Sequence, residues 1–210
     1  MAVKRPGRIP PSADWSHLRL EDRIKPGVRV LFVGINPGVR SAQTGHHFAG
    51  PSNRFWKLLR EAGLVPEPLT FEEDGRLPEF GFGITNLVAR PSPGINDLKP
   101  MDYIDGWKVL EKKIRKYRPE VVALVGVTLY RAILPLVGTP RGSNRGSRVA
   151  STGMESAPGL QPGEAAELTS CRLIVHGARI FVLPNPSGRN AHFSYAEMLS
   201  AFGRLRAHLK

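Results

Sequence analysis

Several features are scarce or missing in this 210-residue sequence, and each absence excludes a class of protein. The only cysteine is Cys171, which excludes internal disulfides, four-cysteine iron–sulfur clusters and zinc sites built on cysteine pairs. No apolar run approaches the length of about 20 residues that a membrane-spanning helix needs. Residues 1–11 are basic and proline-rich and lack the apolar centre of a signal peptide. We therefore expect a cytoplasmic protein.

Acidic residues are also scarce. The chain has 30 Lys and Arg against 18 Asp and Glu, which gives a formal net charge of +12. Such an excess predicts a polyanionic partner, and nucleic acid is favoured over a membrane because no basic amphipathic helix with a broad apolar face stands out. The alternative is a basic surface that serves only solubility.

The composition divides the chain into an arm and a single domain. Residues 1–13 carry Lys4, Arg5 and Arg8 among prolines and predict a flexible basic arm. Residues 14–210 are long enough for one α/β domain with a sizeable core. Within it, residues 138–169 are rich in Gly, Ser, Pro and Arg, which is typical of a flexible excursion.

Short apolar runs alternate along the chain with segments of helical periodicity, and this alternation indicates the fold class. We predict main strands near residues 28–34, 80–88, 120–126 and 180–183, with residues 172–175 as a hairpin partner of the last one. Strands that alternate with helices predict a parallel sheet. Residues 41–50 look too polar and glycine-rich for regular structure, residues 66–78 look like a polar connection, and a helix is expected to start at Pro51.

Two rigid polar turns follow buried strands. The first is Gly34-Ile35-Asn36-Pro37-Gly38 and the second is Pro184-Asn185-Pro186-Ser187-Gly188. Ligands of open parallel sheets bind at the carboxyl ends of the strands, so Asn36 is the first candidate for chemistry. Asn86 interrupts another apolar strand and is either a satisfied core amide or a pocket residue. The adjacent His46 and His47 have no further ligand at metal-binding spacing, so we expect no metal.

These motifs resemble the mismatch-specific uracil/thymine DNA glycosylases of the uracil-DNA glycosylase superfamily. The resemblance covers about residues 26–208 and depends on the first turn, on Gly45-His46-His47-Phe48 and Asn53, and on Asn185-Pro186-Ser187-Gly188. It implies a three-layer α/β/α fold around a central four-stranded, mainly parallel sheet. It also implies base excision repair: the enzyme flips a base out of DNA and hydrolyses its N-glycosidic bond.

The resemblance further implies residue roles. Asn36 positions the attacking water, Phe48 stacks on the flipped base and Asn86 reads its edge. Ser187 and Gly188 approach a DNA phosphate, and Arg189, with Asn190, forms the wedge that fills the vacated stack. The remaining base-binding candidates are Gly34, Ile35, Ser41 and His47, and the residues expected to support the site are Pro37, Gly38, Asn53, Asn185 and Pro186.

The implied partner is double-stranded DNA with G·U or G·T mismatches, bound by a monomer without cofactor or metal. Acceptance of thymine or modified cytosine stays open, because Asn86 matches the thymine-processing branch and Ser41 the bacterial pattern. One alternative function is a mismatch- or uracil-binding module on the same fold that does not cleave. A metabolic nucleotide-binding domain is disfavoured by the charge of +12 and the lack of a G-x-x-x-x-G-K loop.

The charge excess leads to a first prediction. Binding to undamaged duplex should weaken steeply with salt, because Lys and Arg displace condensed counterions. Deleting residues 1–13 should flatten that dependence modestly and leave base selectivity unchanged. Fluorescence anisotropy over a salt series measures both slopes; an unchanged slope would show that the arm does not contact DNA.

Overall fold

The structure is a computed structural model and describes residues 15, 17–137 and 173–209. The basic arm and the 138–169 excursion lie outside these residues. The described strands form one five-stranded sheet in the order β2-β1-β3-β5-β4. Its strands are β1 Val30–Gly34, β2 Phe82–Asn86, β3 Val121–Val125, β4 Ile174–Val175 and β5 Ala178–Leu183. Four strands are parallel and β4 pairs antiparallel with β5, so the parallel sheet and its hairpin partner are confirmed.

Helices connect the strands. The α-helices are α1 Val39–Thr44, α2 Phe55–Glu61, α3 Pro100–Tyr117, α4 Val127–Ile133 and α5 Tyr195–His208. Short 3₁₀ helices span Phe71–Phe80, Ile95–Asp97 and Leu134–Leu136. In the part of the chain that the structure describes, no helix is both long and apolar enough to cross a bilayer.

The alternation of side chains along β1 divides the core into two halves. Val30 and Phe32 pack with residues of α2 and α5 on one face of the sheet. Leu31 and Val33 pack with residues of α3 and α4 on the other face. Successive side chains of a strand point to opposite faces, so a strand buried on both sides needs an apolar residue at every position. The result is the expected three-layer α/β/α arrangement.

The expectation of irregular structure over residues 41–50 is wrong for the first part of that segment. Helix α1 starts directly after Gly38, which has extended backbone, and ends at Gly45, whose φ of +75° is left-handed. The Gly45 N–H bonds to Ser41 O in the manner of a helix C-cap. Val39 and Ala42 bury one side of the helix. A polar, short helix is stabilised here by its packing and its caps rather than by periodicity.

The polar connection predicted at residues 66–78 also contains a helix. At the start of the 3₁₀ helix Phe71–Phe80, Glu73 Oε2 accepts the Thr70 N–H at 3.0 Å and Thr70 O accepts the Glu73 N–H at 3.2 Å. Leu77 and Asp74 are buried in it, at 0% and 1% exposure. Helix α2, in contrast, starts later than expected, because Asn53 Oδ1 accepts the Phe55 N–H at 3.0 Å and fixes the first turn there.

Two helical glycines provide a matched stability test. A Cβ on Gly106 of α3 would lie 2.4 Å from Leu87 O, whereas one on Gly203 of α5 would meet nothing within 4 Å. We expect Gly106→Ala to lower the free energy of unfolding by about 1–2 kcal/mol, since the clash outweighs the gain in helix propensity. Gly203→Ala should raise it by about 0.5–1 kcal/mol. Urea denaturation measures both, and equal effects would contradict the close packing of α3 on the segment that follows β2.

Candidate functional site

The segments that follow β1 and β2 run side by side beyond the sheet. Gly34 and Asn86 are register partners at the ends of these strands. The pairing continues past the sheet, because the Leu87 N–H bonds to Gly34 O at 2.8 Å and the Ser92 N–H to Pro37 O at 3.1 Å. The first polar turn is therefore held against residues 87–92 at the carboxyl edge, where the sequence predicts the ligand.

The Asn36 side chain has a fixed orientation. Its Nδ2 donates to Ser92 Oγ at 2.8 Å and lies 3.3 Å from Arg90 O and 3.2 Å from Pro37 O. Carbonyl oxygens only accept, so the NH₂ group must face them and Oδ1 must point to the opposite side. The Ser92 hydroxyl donates to Gly94 O at 2.6 Å, which leaves its lone pairs for Asn36. The structure thus presents Asn36 Oδ1 as a positioned acceptor.

Arg90, whose carbonyl contacts Asn36, is anchored to the start of α3. Its Nη2 donates to Asp102 Oδ2 at 2.7 Å and to Asp97 O at 2.8 Å. Asp102 also accepts the Lys99 N–H at 2.7 Å. The hydrogen bond from Arg90, followed by that from Lys99, lowers the pKa of Asp102, so its carboxylate stays charged at neutral pH. The orientation of Asn36 therefore depends on the helix behind it.

Phe48 and Asn86 meet over the backbone of Gly34. A Cβ on Gly34 would lie 2.6 Å from Asn86 Oδ1 and 3.6 Å from the Phe48 ring. The Phe48 ring stacks on Phe55 with centroids 4.1 Å apart and an interplanar angle of 23°. The amide of the half-buried Asn86 makes no hydrogen bond to the described residues, which favours a pocket residue over a satisfied core amide. A half-buried ring beside an amide with unused donors and acceptors suits a flat heterocycle.

The backbone around Phe48 is strained and held by side chains. Phe48 has a φ of +53°, a left-handed conformation that costs a non-glycine residue about 1 kcal/mol. The flanking residues are bonded on both sides. Trp56 Nε1 donates to His47 O at 3.1 Å, and the Ala49 N–H donates to Ser41 Oγ at 3.1 Å. These contacts fix the direction in which the Phe48 ring points.

Two of the base-binding candidates lie beneath this loop. Ser41 is 7% exposed and its hydroxyl supports Ala49. His47 is 2% exposed, and its Nε2 lies 2.9 Å from Glu21 O, which requires the Nε2–H tautomer. Burial is the main cause that lowers the pKa of His47 and keeps its ring neutral. Neither side chain is open to solvent, and their contact with a base stays a prediction.

The second turn is rigid and approaches the segment before α2. Asn185 Oδ1 accepts the Ser187 N–H at 3.0 Å, and Asn190 Nδ2 donates to Asn185 O at 2.8 Å. A Cβ on Gly188 would lie 2.5 Å from Ser52 Cβ, so only glycine fits there. Arg189 is exposed, and its guanidinium makes no hydrogen bond or ion pair with the described residues. The turn therefore presents a cation that no other described group neutralises.

The two turns meet at the end of β3. Gly126 has a φ of +127°, and a Cβ there would lie 3.8 Å from both Ile35 Cδ1 and Asn185 Cβ. The Arg54 N–H bonds to Pro186 O at 2.9 Å and ties the second turn to the start of α2. Of the supporting residues predicted from the sequence, Asn185 and Pro186 thus lie next to the first turn and the start of α2.

The two histidines belong to different environments. His46 Nδ1 lies 3.1 Å from Asp74 Oδ1, whereas the His47 ring bonds to the backbone of Glu21. Among residues 15, 17–137 and 173–209 no group of three or more His, Cys, Asp or Glu side chains is placed to hold a metal ion. Metal-independent chemistry stays a prediction.

Arg90, Ser92 and Asp74 make contacts at the candidate site that were not predicted from the sequence. Arg90 and Ser92 follow the Asn86 strand just as Asn36 follows β1, so the same carboxyl-edge argument applied to β2 points to them. Asp74 lies in an acidic run of a segment that looks like a connection. No pattern distinguishes it from its exposed neighbour Glu72.

Two comparisons with known proteins bear on the family and the fold. Residues 21–207 match the family model described as the uracil DNA glycosylase superfamily. A solution NMR structure of a candidate uracil DNA glycosylase from Methanosarcina acetivorans is similar in fold, with a TM-score of 0.54 and 16% sequence identity. The match covers 91% of this chain and 97% of that one.

Proposed function

This chain belongs to the uracil DNA glycosylase superfamily, and we propose that it is a monofunctional DNA repair glycosylase that removes uracil, preferentially opposite guanine. It flips the base out of the duplex, hydrolyses the N-glycosidic bond and leaves an abasic site. Thymine opposite guanine and modified cytosines are further candidate substrates. The enzyme acts as a cytoplasmic monomer on double-stranded DNA, without a metal or cofactor.

The orientation of Asn36 carries this proposal. With Nδ2 bound to Ser92 and Arg90, Oδ1 accepts a hydrogen bond from a water molecule next to the sugar. The water oxygen bonds to C1′ while the bond from C1′ to N1 breaks, the electron pair leaves with uracil and the water proton passes to solvent. A neutral amide is too weak a base to remove that proton early, so the rate depends on orientation and on stabilisation of the uracil anion.

The pocket beside Asn36 recognises the flipped base. The face of Phe48 that is not against Phe55 stacks on the base, and the unpaired Asn86 amide bonds to its Watson–Crick edge. Backbone N–H groups of the first turn bind the carbonyl oxygens of uracil and stabilise charge that develops on them. Gly34 keeps the space between these groups open.

The second turn binds the DNA from the other side. Ser187 contacts a phosphate, and the lack of a Cβ on Gly188 lets the chain approach both Ser52 and the DNA backbone. Arg189 enters the space that the base leaves and donates to the unpaired guanine, for which its planar guanidinium is suited. The net charge of +12 supplies general attraction to the duplex.

A direct assay tests the proposal. A labelled duplex with one G·U pair is incubated with the protein in EDTA and then heated in alkali, which breaks the strand only at an abasic site. We expect cleavage at the uracil, and Asn36→Ala should slow single-turnover cleavage by about 10²-fold or more while it still binds DNA. Binding without cleavage would favour a non-catalytic mismatch-binding module instead.

Ser92 should influence the rate through Asn36. Ser92→Ala removes one of the acceptors that hold Nδ2. We expect the single-turnover rate on G·U to fall by about 3- to 10-fold, the value of one hydrogen bond, with duplex affinity unchanged. In an Asn36→Ala background the same change should have no further effect. A full second loss in that background would show that Ser92 acts on another group.

Arg189 should determine the preference for the opposite base. Arg189→Ala should lose G·U activity but keep much of the activity on single-stranded uracil, where no stack has to be refilled. Arg189→Leu should recover part of the duplex activity by filling the gap, with a weaker preference for guanine because it has no donors. Single-turnover rates on G·U, A·U and single-stranded uracil compare the three proteins. Equal losses on all substrates would mean that Arg189 serves only phosphate attraction.

A further inference from the structure

We propose that Asp74 is a positioning residue that holds Phe48 in the conformation that stacks on the base. This inference rests on the proposed function, since it assigns Phe48 to base binding. Asp74 lies 26 positions after Phe48 in sequence, on the 3₁₀ helix Phe71–Phe80, and its side chain points into the loop that carries the ring.

Asp74 is the hydrogen-bond acceptor at the centre of the loop. Its residue is 1% exposed. Oδ2 accepts the backbone N–H of His47 at 2.9 Å, directly before Phe48. Oδ1 accepts from Arg23 Nε at 3.0 Å and from His46 Nδ1 at 3.1 Å. A carboxylate only accepts, so the three donors converge on a group that satisfies all of them.

Arg23 extends this network to the start of the loop and to the sheet. Its Nη2 donates to Gly45 O at 2.9 Å, while Nε is bound to Asp74. The backbone of Arg23 is itself fixed, because it exchanges two hydrogen bonds of 2.9 Å with Ile84 in β2. The Arg23 side chain therefore ties the loop to the edge strand β2. Lysine, with a single nitrogen, has no comparable fork.

Only a constrained loop keeps Phe48 in its left-handed conformation. The φ of +53° is unfavourable for phenylalanine, so the backbone reverts to a commoner conformation if its flanking bonds are lost. Before Phe48, Gly45 O accepts from Arg23, the His47 N–H donates to Asp74 and His47 O accepts from Trp56. After Phe48, the Ala49 N–H donates to Ser41 and Ala49 O accepts from Arg40. Asp74 bonds one of these groups directly and orients the Arg23 side chain that bonds another.

The test compares two substitutions on the same 3₁₀ helix, each of which replaces one carboxylate with an amide. Asp74→Asn keeps the size of the side chain but turns one oxygen into a donor, which must face either His47 N–H or the Arg23 and His46 donors. Glu72→Gln is the matched control, because Glu72 is exposed and lies two positions away. We expect Asp74→Asn to lower the single-turnover rate on G·U by about 10-fold with unchanged affinity for undamaged duplex, and Glu72→Gln to change neither.

A double-mutant cycle separates positioning from general stability. If Asp74 acts through Phe48, then Asp74→Asn in a Phe48→Ala background should change the rate by less than about twofold. A full 10-fold loss in that background would overturn the proposal. Arg23→Lys is the second variant, in case Asp74→Asn does not fold; it should cause a smaller loss that is also absent in the Phe48→Ala background.

Amide hydrogen exchange gives a readout that needs no activity. In Asp74→Asn or Arg23→Lys the amides of His47 and Ala49 should exchange at least about 10-fold faster, while those of β3 stay unchanged. Unchanged exchange at His47 and Ala49 would overturn the proposal. If the wild-type protein removes no uracil, the proposed function fails, and the exchange experiment still decides whether Asp74 holds the loop.

Discussion

The orientation of the Asn36 amide is the constraint on which the site depends. An asparagine side chain presents two ends of nearly equal shape, and only its surroundings decide which one faces a ligand. Here a 180° turn would place Oδ1 against Arg90 O and Pro37 O, and would exchange attractive contacts for repulsive ones. Losing the bonds to Nδ2 costs about 1 kcal/mol each, enough to keep the acceptor outward in most molecules.

The parallel sheet makes this constraint possible. Arg90 and Ser92 reach Asn36 because the segments after β1 and β2 continue their pairing beyond the sheet. Asn185 reaches the same edge because β5 is parallel to β3, and Gly126 between the two turns has a φ of +127° that favours glycine. At Gly34 and Gly188 a Cβ would clash with the side chains of Asn86 and Ser52, at 2.6 and 2.5 Å. The absence of a Cβ at these two positions therefore lets other parts of the site approach the two turns.

The parts that could be predicted from the sequence have strong local signals. The strands are continuous apolar runs, and the turns 34–38 and 184–188 have their Pro and Gly directly after such runs. Helix α1 has no such signal, since its packing comes from Val39 and Ala42 and its ends from two glycines. The position of Arg90 and Ser92 after a strand indicates the edge of the sheet on which they lie, but their contact with Asn36 depends on long-range pairing that no local pattern contains. Asp74 is buried where donors from two distant segments, Arg23 and His46-His47, converge on it, and the residues directly before it are also acidic.

The distribution of charge suggests how affinity and selectivity are separated. The side chains that we propose contact the base and the water, Asn36, Phe48 and Asn86, are uncharged, and burial keeps the nearby His47 neutral by lowering its pKa. The buried carboxylate of Asp74 is neutralised by Arg23 and is used for the loop. The unpaired cation of the second turn, Arg189, is exposed. Under the proposed function, attraction to the duplex comes from basic side chains and varies with salt, whereas recognition of the base comes from neutral groups and depends little on salt. An enzyme arranged in this way can scan undamaged DNA through weak, reversible contacts, because charge alone does not stabilise a base in its pocket.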